Sequence, residues 1–354
     1  MTTTVRLAGG LACPAPAAPA ERVQLGHGSG GKLSAALLRD RFLPQLSNPA
    51  LRALGDAAVV PVFGGEIAIS TDTFVVSPIE FPGGDIGSLA VHGTLNDVAM
   101  MGAEPKYLAA GFVIEEGFEL AVLDRIVASM AGAARAAGVP LVTGDTKVVE
   151  RGKADRIYIN TTGIGTREGT CRPAPHRAEA GDAVIVTGEI GRHGMAIMAA
   201  REGLGFEAEI ESDSALLYPL VARIAGRFGA HVHVLRDPTR GGVASALNEI
   251  AAASGRGIIL EEEALPVPGA VAAACAMLGL DPLYVANEGI MLVILPERFA
   301  DDAVAALRLL PLGAHACRIG CVVGEHPGMV AMRTAIGGTR VVDLLPGDQL
   351  PRIC

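Results

Sequence analysis

Tryptophan is absent from the 354 residues, and the aromatic residues together make up only 4% of the chain. Stacking of nucleic-acid bases depends on aromatic side chains, so this composition argues against a single-strand-binding protein. Basic residues are also in deficit, because 29 Lys and Arg stand against 38 Asp and Glu and the formal net charge is −9. An acidic chain is a poor ligand for a polyanion. The sequence therefore predicts no nucleic-acid partner.

Long hydrophobic runs without Pro or Gly are also missing. The uncharged run 264–280 contains Pro266, Pro268 and Gly269 and is interpreted as a buried loop and helix. The uncharged run 7–20 is broken by Gly and Pro, so residues 1–22 are predicted to be a flexible Ala- and Pro-rich extension. Six scattered cysteines fit no disulfide framework. We expect a cytoplasmic protein with no membrane segment.

The residues that are present can build large cores. Half of them are hydrophobic and 19% are charged, and the length predicts about two domains. Helical and strand-like patterns alternate, which predicts an α/β (α+β) fold. The predicted organisation is an N-terminal domain over 23–167, a polar linker over 168–181, a C-terminal domain over 182–345 and a short mobile tail over 346–354.

Hydrophobic periodicity and Gly or Pro stop signals give the predicted elements. Strands are predicted over 66–71, 107–114, 156–162, 183–187, 258–260, 289–295, 319–323 and 330–333. Helices are predicted over 33–41, 85–101, 120–137, 214–228, 239–254 and 296–310.

A glycine-rich segment, GHGSGGK at 26–32, precedes the first predicted helix. It matches neither a dinucleotide fingerprint nor a P-loop, because Leu33 stands where a P-loop needs Ser or Thr and no buried strand precedes it. Serial glycines nevertheless expose backbone N–H groups, a helix begins there, and Lys32 adds a cation. The segment is either a phosphate-binding loop or a flexible surface loop.

Five aspartates stand in Gly- or Thr-flanked, otherwise apolar contexts and are predicted to lie at turns or element ends. They are Asp56, Asp72, Asp97 (which follows Asn96), Asp145 and Asp237. A single Asp before a helix is more often an N-cap than a ligand. Five of them, together with a glycine loop, suit a nucleoside triphosphate bound with more than one Mg²⁺.

Four further features could have either a functional role or an ordinary structural or surface role. Lys147 follows Asp145 and could be a surface lysine. Glu288 adjoins a markedly apolar strand and is either a general base with a raised pKa or a solvent-facing residue. His231 and His233 would share a strand face, and without a third ligand we interpret them as structural. Cys354 could be an accidental tail cysteine, but it ends a proline-stiffened tail that is able to reach a cleft or another protein.

Several segments together resemble the HypE family of carbamoyl dehydratases, which mature [NiFe]-hydrogenases. The resemblance runs from about residue 23 to residue 354 and includes GHGSGGK, VTGDTK, RDPTRGG, VANEG and the terminal PRIC. More broadly, the chain resembles the PurM-like ATP-dependent enzymes. This implies a two-domain PurM-like fold, with an N-terminal domain that forms a homodimer through its sheet and ATP in the cleft between the domains.

The resemblance also implies roles for individual residues. The phosphate and nucleotide contacts would come from Gly28, Ser29, Gly30, Gly31, Lys32, Asn96 and Asp145. Magnesium would be held by Asp56, Asp72, Asp97 and Asp237. Lys147 and Glu288 would act on the substrate, which Cys354 would carry as a thiocarbamate received from the carbamoyltransferase HypF. The cyanide group would then pass to iron on the HypC–HypD complex.

This chemistry agrees with the residues, because phosphorylation by ATP turns the carbonyl oxygen of a thiocarbamate into a good leaving group. Three alternatives remain open at this stage. Another PurM-like kinase would explain the loop and the aspartates but not PRIC. Selenophosphate synthetase would need a reactive Cys in the first glycine loop, and residues 26–32 contain none. A nucleotide-sensing scaffold would not turn over ATP when carbamoylated.

Overall fold

The structure, a computed structural model, describes residues 31–37, 39–40, 52, 54, 56–62, 64–202, 210–345, 350 and 352–354. The N-terminal extension over 1–22, Gly28, Ser29 and Gly30 of the glycine loop, and tail residues 346–349 and 351 lie outside this described part. Within it, no helix is long and apolar enough to cross a membrane.

The elements of the first half are α1 Lys32–Leu37, β1 Ala58–Val62, β2 Gly65–Phe74, β3 Glu80–Phe81, β4 Gly84–Asp85, α2 Ile86–Met100, β5 Glu104–Glu115, α3 Leu120–Ala137, β6 Leu141–Val149 and β7 Ile157–Thr166. Those of the second half are β8 Asp182–Val186, α4 Arg192–Glu202, α5 Tyr218–Phe228, β9 Val234–Arg236, α6 Gly242–Ser254, β10 Gly257–Glu261, α7 Gly269–Leu278, β11 Leu292–Pro296, α8 Ala300–Arg308, β12 Cys317–Val323, β13 Val330–Arg333 and β14 Thr339–Val341. Short 3₁₀ helices include Pro175–Arg177 and Gly229–His231.

The first half forms a five-stranded sheet in the order β1-β2-β7-β5-β6. All neighbours are antiparallel except β5 and β6. Helices α2 and α3 cover one face of this sheet, where Leu89 and Leu95 pack with Phe74, Ile126 and Ile159. Helix α2 begins at a capping box, since the Asp85 carboxylate accepts from the N–H groups of residues 87 and 88. This helix is buried along most of its length.

The second half forms a seven-stranded sheet in the order β14-β13-β10-β12-β8-β11-β9. Strand β8 is buried on both faces. Val184 and Val186 join the core beneath α6, whereas Ala183 and Ile185 join the core beneath α5 and α8. The alternation of side chains along a strand explains this division, because consecutive residues point to opposite faces.

Helix α2 connects the two halves. Its last residues, Ala99 and Met100, pack in the same cluster as Leu217 and Leu220 of the second half. The segment predicted as a linker is fixed in place rather than loose. Cys171 and Ala178 are buried, and Arg177 donates to the backbone carbonyls of Ala230 and Val232. The two halves therefore share one interface, at which α2 packs against residues from both.

The sequence predicted many of these elements, and two differences from the structure are instructive. Helix α3 has the predicted bounds, because Gly138 adopts the left-handed C-cap conformation and ends it. The helix predicted over 214–228 begins only at Tyr218. Strand β6 was not predicted, and Asp145 lies inside it rather than at an element end. Both faces of β6 are exposed, so its sequence carries no alternating pattern.

Candidate active site

Three of the predicted metal ligands come together between the two halves. Asp56, Asp97 and Asp237 each present a carboxylate oxygen, and these oxygens lie within 4.8 Å of one another. Asp56 precedes β1, Asp97 lies on α2, and Asp237 directly follows β9. Each half of the chain therefore contributes at least one carboxylate, and the cluster forms only where the halves meet.

Neighbouring polar groups hold these carboxylates in place. The Ser70 hydroxyl donates to Asp97 Oδ2 at 2.7 Å. Arg236 forms an ion pair with Asp56 and a second one with Glu249 Oε2, at 2.5 Å. One guanidinium thus orients a cluster residue from the opposite domain.

The electrostatics of this carboxylate cluster favour a cation. Burial raises the pKa of Asp56 to about 7 and the pKa of Asp237 to about 6. Burial and then the neighbouring carboxylates raise the pKa of Asp97 well above its usual value. Confined like charges destabilise the ionised forms, and a divalent cation reverses that effect. The donors are oxygens only, which is the set that Mg²⁺ prefers.

Asp72, the fourth predicted ligand, lies beside the carboxylate cluster on β2. It is close enough to raise the pKa of both Asp97 and Asp237. Burial raises the pKa of Asp72 itself, and the nearby Arg240 partly offsets this. The pKa of Arg240 is raised first by the negative charge of Cys354, and then by Asp72 and Glu288. Arg240 is therefore near both the chain's last residue and the acidic groups.

The C-terminal residues are docked on the first half of the chain. The N–H of Val75 donates to the backbone oxygen of Cys354 at 3.2 Å, and the N–H of Ser77 donates to the carbonyl of Arg352 at 3.1 Å. The Arg352 side chain donates to the Val75 carbonyl at 3.0 Å and pairs with Asp155. Ile353 is 2% exposed in the core below α2. The described end of the tail is thus docked, and the mobility of the tail over 346–354 stays a prediction.

Glu288 is buried at 2% exposure, which argues against the solvent-facing alternative. Burial, followed by repulsion from Asp237 and Asp213, raises its pKa well above the usual value. Its backbone is fixed, because Asp213 accepts from the N–H groups of Glu288 at 3.1 Å and Gly289 at 3.0 Å. A Cβ on Gly289 would lie 1.7 Å from the Asp213 carbonyl oxygen, so the close approach requires glycine.

Asn96, predicted to contact the nucleotide, is hydrogen-bonded within the protein. It is 1% exposed, and its amide nitrogen donates to the carbonyl of Ala215 at 2.9 Å. Its side-chain oxygen accepts from the N–H of Leu217 at 2.8 Å. These bonds hold the second half against α2 beside Asp97, so the geometry gives Asn96 a positioning part.

Asp145 and Lys147 lie apart from the carboxylate cluster within one chain. They form an ion pair at 2.5 Å, with about two thirds of each side chain exposed on the edge strand β6. Strands β7 and β5 separate β6 from Asp72, a gap of three strand spacings of about 4.8 Å each. The register aligns Asp72 with Gly144, so Asp145 and Lys147 point to the opposite face of the sheet.

Two other predicted groups lie outside the carboxylate cluster. Lys32 Nζ donates to Asp343 Oδ2 at 2.7 Å in an exposed ion pair, and Gly31 is buried at the start of α1. His233 forms a bond of 2.8 Å with Asp182, whereas His231 is exposed on a 3₁₀ turn. The histidines thus share no strand face, and they join no group that could hold a metal among the described residues.

Sequence reasoning missed three residues that build the site: Arg236, Arg240 and Asp213. Both arginines stand in the RDPTRGG segment, where only the aspartate was singled out. Two cations that flank an aspartate within five residues of a Gly-Gly pair were a usable signal. Asp213 carried no such signal, because its partners lie 75 and 76 residues further along the chain.

The fold and the acidic cluster of oxygen donors define a class of two-domain α/β proteins with a candidate cation site between the domains. Comparison with known families agrees with this class. Residues 54–167 match the family described as AIR synthase related protein, N-terminal domain, and residues 179–331 match AIR synthase related protein, C-terminal domain.

The relatives are closer still. The carbamoyl dehydratase HypE of Cupriavidus necator is 54% identical over 334 residues, covering 94% of this chain and 95% of that protein. The crystal structure of a hydrogenase maturation protein HypE in complex with ATP has a TM-score of 0.80 at 51% identity, covering 93% of this chain and 99% of that one. A HypE–HypF complex has a TM-score of 0.83 at 46% identity, covering 88% and 100%.

The chain belongs to the AIR synthase related proteins and, within them, to the HypE carbamoyl dehydratases. The predicted two-domain fold, the predicted family and the predicted carbamoyl dehydratase activity in hydrogenase maturation are thereby confirmed. The kinase, selenophosphate synthetase and scaffold alternatives are correspondingly dropped.

Proposed function

We propose that this chain carries a carboxamide on the sulfur of Cys354 and dehydrates it with ATP to a thiocyanate. The observation that carries the proposal is the docked position of Cys354. Its charge acts on Arg240, which also faces Asp72 and Glu288. A relative with the same fold was crystallised with ATP, which supports ATP as the co-substrate.

The reaction balances as thiocarbamate plus ATP giving thiocyanate, ADP and phosphate. The carbonyl oxygen bonds to the γ-phosphorus as the bond from that phosphorus to ADP breaks, and one proton leaves the amide nitrogen as a C=N bond forms. The second proton leaves as the C–O bond breaks and the oxygen departs with phosphate. The unmodified carbonyl oxygen is a poor leaving group, whereas the phosphorylated oxygen departs readily as phosphate. ATP is needed for this phosphorylation.

Asp56, Asp97 and Asp237 would hold Mg²⁺, with Asp72 beside them. Bound there, Mg²⁺ would neutralise charge on the phosphates and position the γ-phosphoryl group. Arg236 keeps Asp56 in place through its ion pair. Ser70 does the same for Asp97 through its hydroxyl.

Glu288 would be the base that accepts the amide protons. Its raised pKa brings the proton affinity of the carboxylate nearer to that of the group it must deprotonate. The Asp213 bonds fix the backbone from which it reaches the cleft.

The roles of Asp145, Lys147 and the glycine loop extend this proposal. We assign them to phosphate or substrate contacts because the family resemblance implies those roles. Strand β6 is an open sheet edge with exposed Leu141, Val142 and Val148. Such an edge invites pairing with another strand, which supports a homodimer formed through the N-terminal sheets.

Partners follow from the same family. A HypE–HypF complex is known for a relative, which supports HypF as the donor of the carboxamide. We propose the HypC–HypD complex as the cyanide acceptor and the cytoplasm as the location.

Mass spectrometry of the C-terminal peptide tests the function. After incubation with the carbamoyl donor system, Cys354 should gain a carboxamide group, and added Mg-ATP should remove one water. Cys354→Ala should still bind Mg-ATP, because the acidic cluster lies in the two domains, but it should carry no group. Cys321→Ala is the matched control, since Cys321 is another partly exposed thiol, and it should behave like the parent. A thiocyanate formed on Cys354→Ala would refute the proposal.

A further inference from the structure

The carbonyl of Ile353 is held by a histidine that the dehydration chemistry does not use. His193 Nε2 lies 2.9 Å from this carbonyl oxygen. Both groups are buried, with His193 at 0% exposure and Ile353 at 2%. A buried carbonyl left without a donor is costly, so this bond contributes directly to keeping the end of the chain docked.

The protonation pattern of His193 follows from its neighbours. A carbonyl can only accept, so Nε2 must carry the hydrogen and donate it to Ile353. Burial lowers the pKa of His193 to about 4, which keeps the ring neutral near pH 7. Nδ1 is therefore an acceptor, and the Ser212 hydroxyl, 2.8 Å away, must donate to it. One tautomer satisfies every group.

Residues 212–214 connect this histidine to Glu288. The Ser212 hydroxyl also accepts from the N–H of Ser214 at 3.1 Å. Between these two serines, the Asp213 carboxylate accepts from the N–H groups of Glu288 and Gly289. Residues 212–214 thus contact His193, which binds the C-terminal end, and also the backbone of Glu288, the proposed base.

A second connection runs through the beginning of α4, which carries His193. The N–H of Gly194 donates to the Ala286 carbonyl at 3.0 Å, and the N–H of Gly191 donates to Asn287 Oδ1 at 2.6 Å. Ala286 and Asn287 directly precede Glu288 in the chain. His193 is therefore tied to the Glu288 segment from both sides.

We propose that His193 is the positioning residue that docks the C-terminal end, and that residues 212–214 link docking to the placement of Glu288. The proposal rests on the proposed function of Cys354, since only a carrier residue has to be docked. Docking of the C-terminal end would then fix the position of Glu288 when Cys354 is in the cleft.

Alkylation of Cys354 tests the docking part without any dehydratase activity. The full chain is treated with iodoacetamide, and the rate at the C-terminal peptide is compared with that at Cys321. His193→Leu removes the donor and should raise the rate at Cys354 roughly ten-fold. His193→Gln retains a donor near the Nε2 position and should restore protection. His176→Leu, an exposed matched control, should leave the rate unchanged.

Hydrogen exchange at the Glu288 and Gly289 amides tests the link. His193→Leu should speed exchange of these two amides several-fold, while β8 amides stay protected. A chain ending at Pro351 retains His193 but lacks the docked residues, and it should show the same faster exchange even if His193→Leu folds poorly.

Each outcome is decisive. The docking role of His193 is overturned if the alkylation rate of Cys354 is unchanged in His193→Leu, or if it is equally raised in His193→Leu and His193→Gln. The link between docking and Glu288 is overturned if His193→Leu speeds alkylation of Cys354 but leaves hydrogen exchange at residues 288 and 289 unchanged. The shortened chain, in which only exchange is measured, would then also show unchanged exchange. Because neither assay uses turnover, failure of the proposed dehydration would be seen separately.

Discussion

The substitution His193→Gln is expected to destabilise the folded chain at about pH 7.5 and to stabilise it at about pH 5. Burial lowers the pKa of His193 to about 4 from an ordinary 6.5, and its bond to Ile353 opposes this shift only in part. Between these two values the unfolded chain binds a proton that the folded chain does not bind. Lowering the pH through this window therefore favours unfolding.

The magnitude follows from the size of the shift. A difference of about 2.5 pKa units corresponds to about 3.4 kcal/mol, reached in full only below about pH 4. At about pH 5 the parent loses about 2 kcal/mol through this residue, and at about pH 7.5 it loses almost nothing. Gln cannot titrate, but it leaves the Ser212 hydroxyl without its acceptor, which costs about 1 kcal/mol at either pH.

The variant should therefore be less stable than the parent by about 1 kcal/mol at about pH 7.5 and more stable by about 1 kcal/mol at about pH 5. Urea unfolding of both chains at the two pH values measures this difference. His92, whose pKa burial also lowers to about 4, is present in both chains and cancels. His176→Gln, an exposed control, should show no such change. A difference for His193→Gln that is the same at both pH values would refute a buried neutral His193.

Three further variants test the site. Asp97→Asn keeps an acceptor for the Ser70 hydroxyl but removes one cluster charge, so Mg-dependent ATP turnover should fall about 100-fold with an unchanged fold by circular dichroism; full turnover would remove Asp97 from the metal site. Glu288→Gln should accept the carboxamide and bind ATP but lose no water, as read by mass spectrometry. Gly289→Ala should cost about 1–3 kcal/mol in urea unfolding, since its Cβ would clash with a backbone oxygen at 1.7 Å. Gly132→Ala on α3 meets nothing within 4 Å and should not destabilise the chain.

The parts of the fold that were predicted from sequence are those that local physics determines. Helix α3 was bounded correctly because an apolar stripe, a left-handed Gly138 and a following proline act within a few residues of one another. Strand β6 was missed for the opposite reason. It lies at a sheet edge with both faces exposed, so nothing in its burial imposes an alternating sequence.

The site was predictable in its chemistry and less so in its assembly. The aspartates were chosen by their unusual contexts, and three of them do converge. The local sequence gives no indication that the Asn96 side chain forms hydrogen bonds with Ala215 and Leu217, more than a hundred residues away. The docking of Ile353 on His193 spans 160 positions. Contacts of this kind depend on how the two halves meet, which single-sequence patterns do not encode.

The docked C-terminal end has to be held loosely enough to leave. The bonds from Val75, Ser77 and His193 are neutral hydrogen bonds, each of which contributes about 1 kcal/mol net. Ordering the backbone costs about 1–2 kcal/mol per residue. The two contributions are of similar size, so the balance depends on the burial of the Ile353 side chain and on the contacts of Arg352 with Val75 and Asp155. A carrier that is loaded by one protein and reacts in its own cleft needs a balance of this kind, because a much tighter dock would keep Cys354 from the transferase and a much weaker one would lose the high effective concentration of a tethered substrate.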